Sequence, residues 1–99
     1  MATRKSNPSG DLDWDEDKNN LNKKNHGYSF EEGATVFDDP LAITDDDEEH
    51  SIEEQRLKSI GLSSAGKLLR VSFTVRNNQF RIFSVREPSR SEREEYEEG

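Results

Sequence analysis

There is no cysteine in this chain of 99 residues. That excludes a disulfide scaffold and a thiolate metal site, and it suits a reducing compartment. Nor is there an apolar stretch long enough for a signal peptide or a membrane span, so the expected location is the cytoplasm, with no membrane partner. Hydrophobic residues are scarce, 28% against 36% charged. Averages of that kind lean toward disorder or a thin core. The length allows one small domain.

The few apolar residues are unevenly placed. Residues 1–13 hold only Leu12 beyond Met1 and Ala2, whereas Leu57 to Val85 holds most of the aliphatics and three of the five Phe. The expected organisation is a flexible N-terminal arm, residues 1–12, on a folded body, residues 13–98. Charge is segregated as well: 0 over residues 1–30, −9 over 31–50, +5 over 51–90 and −4 over 91–99. The total of −8 argues against nucleic acid as a partner, but a basic region inside it keeps that partner open.

Asp15 is placed to cap a first helix running to about His26, and Gly27 to stop it in the left-handed region. Ser29 with Glu32 spells a capping box for a second helix, about Phe30 to Phe37, with Phe30, Ala34 and Phe37 on one face. Asp38-Asp39-Pro40 ends that helix and turns the chain into a short strand, Leu41 to Thr44. The acidic run of residues 45–49 reads as a solvated loop, whose spacing does not make a cation site. Strands follow at Arg56–Leu62, Lys67–Arg76 and Gln79–Arg86, with tight turns at Ser63–Gly66 and Asn77-Asn78. Pro88-Ser89 opens a C-terminal helix, Arg90–Glu98. The expected fold is α+β: a small antiparallel sheet of about four strands, two N-terminal helices and one C-terminal helix.

Four blocks stand out. They are Trp14-Asp15; His26 to Leu41, reading HGYSFEEGATVFDDPL; His50-Ser51-x-x-Glu54-x-Arg56 with Ile60-Gly61; and Arg81 to Glu98, reading RIFSVREPSRSEREEYEE. The last is an Arg-aliphatic-x-Ser-x-Arg strand (Arg81, Ser84, Arg86) running into a charged helix with Glu92 and Tyr96. In this order and spacing the blocks resemble the BrnT family, toxins of bacterial type II toxin–antitoxin pairs with a RelE-like ribonuclease fold. The resemblance covers about residues 13 to 98. It implies a metal-independent ribonuclease without a cofactor, which cleaves RNA and inhibits growth. A BrnA-type antitoxin would neutralise it and would carry any contact with DNA.

Metal-free RNA cleavage needs a base for the attacking 2′-hydroxyl, an acid for the leaving oxygen, and cations for the charge on the phosphoryl oxygens. Arg81 and Arg86 suit the last role, because a guanidinium meets two phosphate oxygens and stays protonated. Their separation of five puts them on opposite faces of a regular strand, so a bulge, or Arg86 lying beyond the strand end, is required. Glu54 serves as base or simply pairs with Arg56, with which it shares strand parity. His26 acts as acid or base, the usual role of an imidazole in such chemistry, or else caps the last carbonyls of its helix. Arg56, Lys58, Arg76 and Lys24 are the expected RNA contacts. Tyr96 either closes the groove or anchors its helix. One departure from the family pattern is Asn25, where a Lys-His-Gly run would place lysine. It leaves a second expectation open, a toxin-fold module that binds its antitoxin without cutting RNA.

Overall fold

A computed structural model of the chain describes residues 12–47, 54–76 and 78–99. After a two-residue strand β1 (Leu12–Asp13), helix α1 (Glu16–His26) begins at Asp15. The Asp15 carboxylate accepts the backbone N–H groups of Asp17 and Lys18 at 2.8 and 3.3 Å. Gly27, at φ +82°, ends the helix by donating its N–H to Lys23 O, a conformation glycine adopts without a Cβ penalty.

Ser29 caps α2 (Phe30–Ala34), accepting the Glu32 N–H at 3.0 Å. The reciprocal half of the expected capping box does not form, because the Glu32 carboxylate accepts from the Ser63 hydroxyl instead. Nor does α2 run on as an α-helix to Phe37. It tightens into a 3-10 turn over Thr35–Asp38, where β-branched Thr35 and Val36 favour an early end and Thr35 Oγ1 donates to Glu32 O at 2.6 Å.

The strands are β2 (Ile43–Asp46), β3 (Arg56–Leu62), β4 (Leu68–Arg76) and β5 (Gln79–Arg86), and α3 (Arg90–Glu98) closes the chain. The architecture is α+β, with a five-stranded sheet in the order β1-β5-β4-β3-β2. Two details differ from the sequence reading. Leu12, expected in the arm, pairs with Phe80 through β1, which is parallel to β5, so the sheet is mixed. Asp45 and Asp46, expected in a loop, belong to edge strand β2, opposite Lys58 and Leu57. An edge strand exposes such side chains at no packing cost. The other residues of the proposed N-terminal arm, together with His50, lie outside the described residues.

One face of the sheet carries the core. Leu69, Val71 and Phe73 of β4 and Ile82 and Val85 of β5 meet Phe30 and Val36, all buried. Phe37, Phe73 and Phe80 add a cluster of rings with centroids 4.8–5.3 Å apart. Gly33 brings α2 onto this face so closely that a Cβ there would collide with Val85 Cγ2. Helix α1 is fastened differently. Its buried side chains are Asn19 and Asn22, and Asn22 bonds both the N–H and the carbonyl of Val85. Among the described residues no helix is long and apolar enough to cross a membrane.

Candidate functional site

The opposite face of the sheet is polar, and its composition follows from register. Partners in an antiparallel ladder point to the same side. The β4–β5 ladder runs Arg70↔Arg86, Val71↔Val85, Ser72↔Ser84 and then Phe73↔Ile82, Thr74↔Arg81, so β4 skips Phe83. This bulge adds one residue to β5. It keeps Val85 and Ile82 in the core while turning both Arg81 and Arg86 to the polar face. The two arginines stand four ladder positions apart, roughly 13 Å between Cα atoms. Arg56, Lys58, Arg70 and Arg76 lie on the same face by the same pairings.

The cations divide into two groups. Glu54, just before β3, accepts from Arg76 through Nε at 2.6 Å and Nη2 at 2.8 Å. Its partner is therefore Arg76, not the expected Arg56, since Glu54 precedes the strand and its parity does not apply. These Arg76 hydrogen bonds, with the charges of Arg76, Arg56 and Arg81, hold the Glu54 carboxyl below its ordinary value against desolvation. It is thus ionised at neutral pH, able to accept a proton but weak as a base. Arg81 pairs with the Asp13 carboxylate, and the Arg56 guanidinium stacks 4.8 Å from the centroid of the Phe83 ring.

The second group surrounds Glu92 at the start of α3, which lies over β3 on this face. The Glu92 carboxylate is met by Arg70 at 3.1 Å and by Lys58 and Arg86 at 3.6 Å. It also accepts the Ser89 N–H at 2.8 Å, completing a full capping box. Burial pushes the Glu92 carboxyl up, but the Ser89 N–H and the charges of Arg70 and Arg86 outweigh it and hold it below its ordinary value. Arg70 has a second partner in Asp47 at 3.4 Å. At the far end of α3, the Tyr96 hydroxyl donates to Asp39 at 2.6 Å, so Tyr96 anchors its helix.

Six of the eight expected site residues, Arg81, Arg86, Glu54, Arg56, Lys58 and Arg76, therefore gather on or beside one sheet face. His26 and Lys24 do not join them. They sit exposed on the last turn of α1, whose packing is against β5. Arg70 is not among the expected site residues, and Glu92 belongs to the fourth block without an expected role at the site. Arg70 alternates with core residues on β4 in the same way as Arg76, and Ser89-x-x-Glu92 is itself a capping-box signature. Both signals were present.

A sequence comparison with curated proteins returns no match. Among solved structures, the 1.1 Å crystal structure of the Brucella abortus ribonuclease toxin BrnT matches with a TM-score of 0.62. The match covers 81% of this chain and 97% of that one at 22% identity, which speaks to the fold. A family model described as the ribonuclease toxin BrnT of type II toxin–antitoxin systems matches residues 14–92. With its strands in that arrangement and its arginines on one face, the chain belongs to the BrnT family of ribonuclease toxins.

Proposed function

We propose that this protein is an active, metal-independent endoribonuclease that arrests growth and is silenced by a BrnA-type antitoxin. The observation that carries this reading is the β5 bulge, which places Arg81 and Arg86 on one face with Arg56, Lys58, Arg70 and Arg76. Six fixed cations track a phosphate backbone and stabilise charge where a 2′-hydroxyl attacks the adjacent phosphorus. Arg81 is the leading group for that charge, with Arg86 on the following phosphate and Glu54 taking the hydroxyl proton. His26 and Lys24 have no part in this assignment, because α1 holds them on another element. The antitoxin covers the cationic face, and the acidic remainder of the chain makes the toxin itself a poor DNA binder. The absence of cysteine and the RNA substrate fit a cytoplasmic site of action.

A second reading, a module that binds its antitoxin without cutting RNA, is favoured by one specific feature. Arg81, Arg76, Arg70 and Arg86 already hold carboxylates of this chain. The deciding experiment is RNA cleavage by purified protein in EDTA, beside Arg81→Ala and Arg86→Ala. Cleavage that survives EDTA and falls at least about 100-fold with Arg81→Ala supports the ribonuclease. Intact RNA with folded wild-type protein, and normal growth on its expression, support the module.

A further inference from the structure

Lys58, Arg70 and Arg86 come from three adjacent strands, β3, β4 and β5, and all three converge on the single carboxylate of Glu92. That carboxylate is a poor match for what surrounds it. Only Arg70 stands within hydrogen-bond distance, and Lys58 and Arg86 remain at 3.6 Å. One Glu92 oxygen is already taken by the Ser89 N–H. Arg70 Nε, shielded from solvent, has no acceptor among the described residues. A buried donor without a partner is uncommon and marks a site short of acceptors. Among the described residues Arg70 has a second carboxylate in Asp47 at 3.4 Å, and Asp45 stands across the ladder from Lys58.

The element that delivers Glu92 has few other attachments. Between the Glu92 cluster and the Tyr96–Asp39 bond, α3 is charged and mostly exposed. Beneath it lies Ile60, buried although its register places it on the polar face. Pro88, in the connection from β5, cannot extend the ladder and leaves the helix joined through a short non-strand segment.

We propose that Lys58, Arg70 and Arg86 form a phosphate-binding subsite that Glu92 fills from within, and that α3 lifts when a phosphodiester of the substrate enters. The identity of the ligand rests on the ribonuclease reading given above. A phosphodiester spreads its one negative charge over two oxygens that are free of any helix cap, and so can take up the donors that Glu92 leaves at 3.6 Å or unbonded. Glu92 is then an internal competitor, and the closed helix lowers apparent affinity by the fraction of time it stays down.

The test uses the full chain and a 2′-O-methyl oligoribonucleotide, which cannot be cut because the attacking hydroxyl is blocked. Glu92→Gln keeps the capping box but removes the charge. Tyr96→Phe loosens the helix from its other end without touching the three cations. At low salt the expected gain in affinity is about tenfold for Glu92→Gln and about threefold for Tyr96→Phe. Amides of residues 90–98 in the wild type should exchange faster once the oligonucleotide is bound. Unchanged or weaker binding in both variants, with α3 still protected in the complex, overturns the proposal. If Glu92→Gln fails to fold, Tyr96→Phe decides. Cleavage of ordinary RNA is followed in parallel. A wild type that cleaves while neither variant binds more tightly removes the subsite and keeps the ribonuclease. A wild type that does not cleave while both variants bind more tightly removes the ribonuclease and keeps the subsite.

Discussion

Replacing Asn22 by alanine tests whether polar side chains, and not an apolar stripe, fasten α1 to the sheet. Asn22 is only 6% exposed. Its Nδ2 donates to Val85 O at 2.7 Å and Tyr28 O at 2.8 Å, and its Oδ1 accepts the Val85 N–H at 3.1 Å. β1 pairs with β5 only at Phe80 and Arg81, so the Asn22 amide completes a ladder that β1 leaves open at Val85. Alanine strands two carbonyls and one N–H. An orphaned buried group costs about 1–3 kcal/mol, and with partial relaxation of the Tyr28 carbonyl the three together cost about 3 kcal/mol. For a domain of this size that lowers Tm by about 15 °C.

The assay is urea and thermal unfolding, read by far-UV circular dichroism and by the fluorescence of Trp14, whose ring packs edge-on against Phe30 at 6.2 Å. Two companions sharpen it. Asn25→Ala, exposed on the same helix, should change stability by less than about 0.5 kcal/mol. Asn22→Asp keeps an acceptor for Val85 but turns another acceptor toward two carbonyls, so it should lose at least as much as alanine. If Asn22→Ala unfolds within about 0.5 kcal/mol of Asn25→Ala, these hydrogen bonds are not what holds α1.

Gly33→Ala should destabilise by about 1–3 kcal/mol, since its Cβ collides with Val85 Cγ2; adding Val85→Ala should return part of the loss in the same urea titration. Stability should also be bounded on both sides of neutrality. Asp39 and Glu92 are held below their ordinary values of 3.8 and 4.5, burial being outweighed by hydrogen bonds from Leu62, Tyr96 and Leu41 at Asp39, and by hydrogen bonds and the charges of Arg70 and Arg86 at Glu92. The unfolded chain therefore binds more protons in acid, so stability is full above those values and falls as pH drops through the lower folded ones. Tyr96 is pushed up from 10.0 to about 12 by its bond to Asp39. The folded state keeps that proton longer, so stability is full below pH 10 and falls between 10 and about 12. Thermal melts across pH should show both edges, and Tyr96→Phe should reduce the alkaline one to the part left by Tyr28, which its bond to Glu87 also pushes up.

Much of this fold was legible because alternation is an unambiguous signal. Leu69, Val71, Phe73 and Val75 against Leu68, Arg70, Ser72 and Thr74 mark β4, and β3, β5 and α3 were bounded by the turns and caps around them. Parity also required either a bulge between Arg81 and Arg86 or Arg86 beyond the strand end, though the choice between them and the place at Phe83 were not legible. What stayed hidden has physical causes. Helix α1 buries Asn19 and Asn22, and amides at spacing three read as a solvated face until the strand edge they serve is seen. β1 has two residues, too few for any period. Asp45 and Asp46 look like loop because an edge strand makes no demand for apolar side chains. In the candidate site, the cations could be listed from sequence, but their carboxylate partners could not. Asp13, Glu54, Asp47 and Glu92 reach them from other elements, at separations of 22 to 68 residues except for Arg86, which lies six residues before Glu92. His26 was attractive for its chemistry alone, and topology holds it elsewhere.

The bulge at Phe83 also gives β5 slack. In an evenly paired strand, losing one residue inverts every side chain beyond the loss, sending arginine into the core and isoleucine to water. Here β5 already carries one residue more than β4 uses. If Phe83 or Ile82 is deleted, the bulge closes; Phe80, one aliphatic or aromatic residue and Val85 still point inward, and Arg81 and Arg86 still point outward, now four apart. The chain can therefore lose one codon here while the packed side and the charged face both keep their order, with the two arginines still four ladder positions apart, which makes this point of β5 the place where the strand tolerates a change of length without a change of fold.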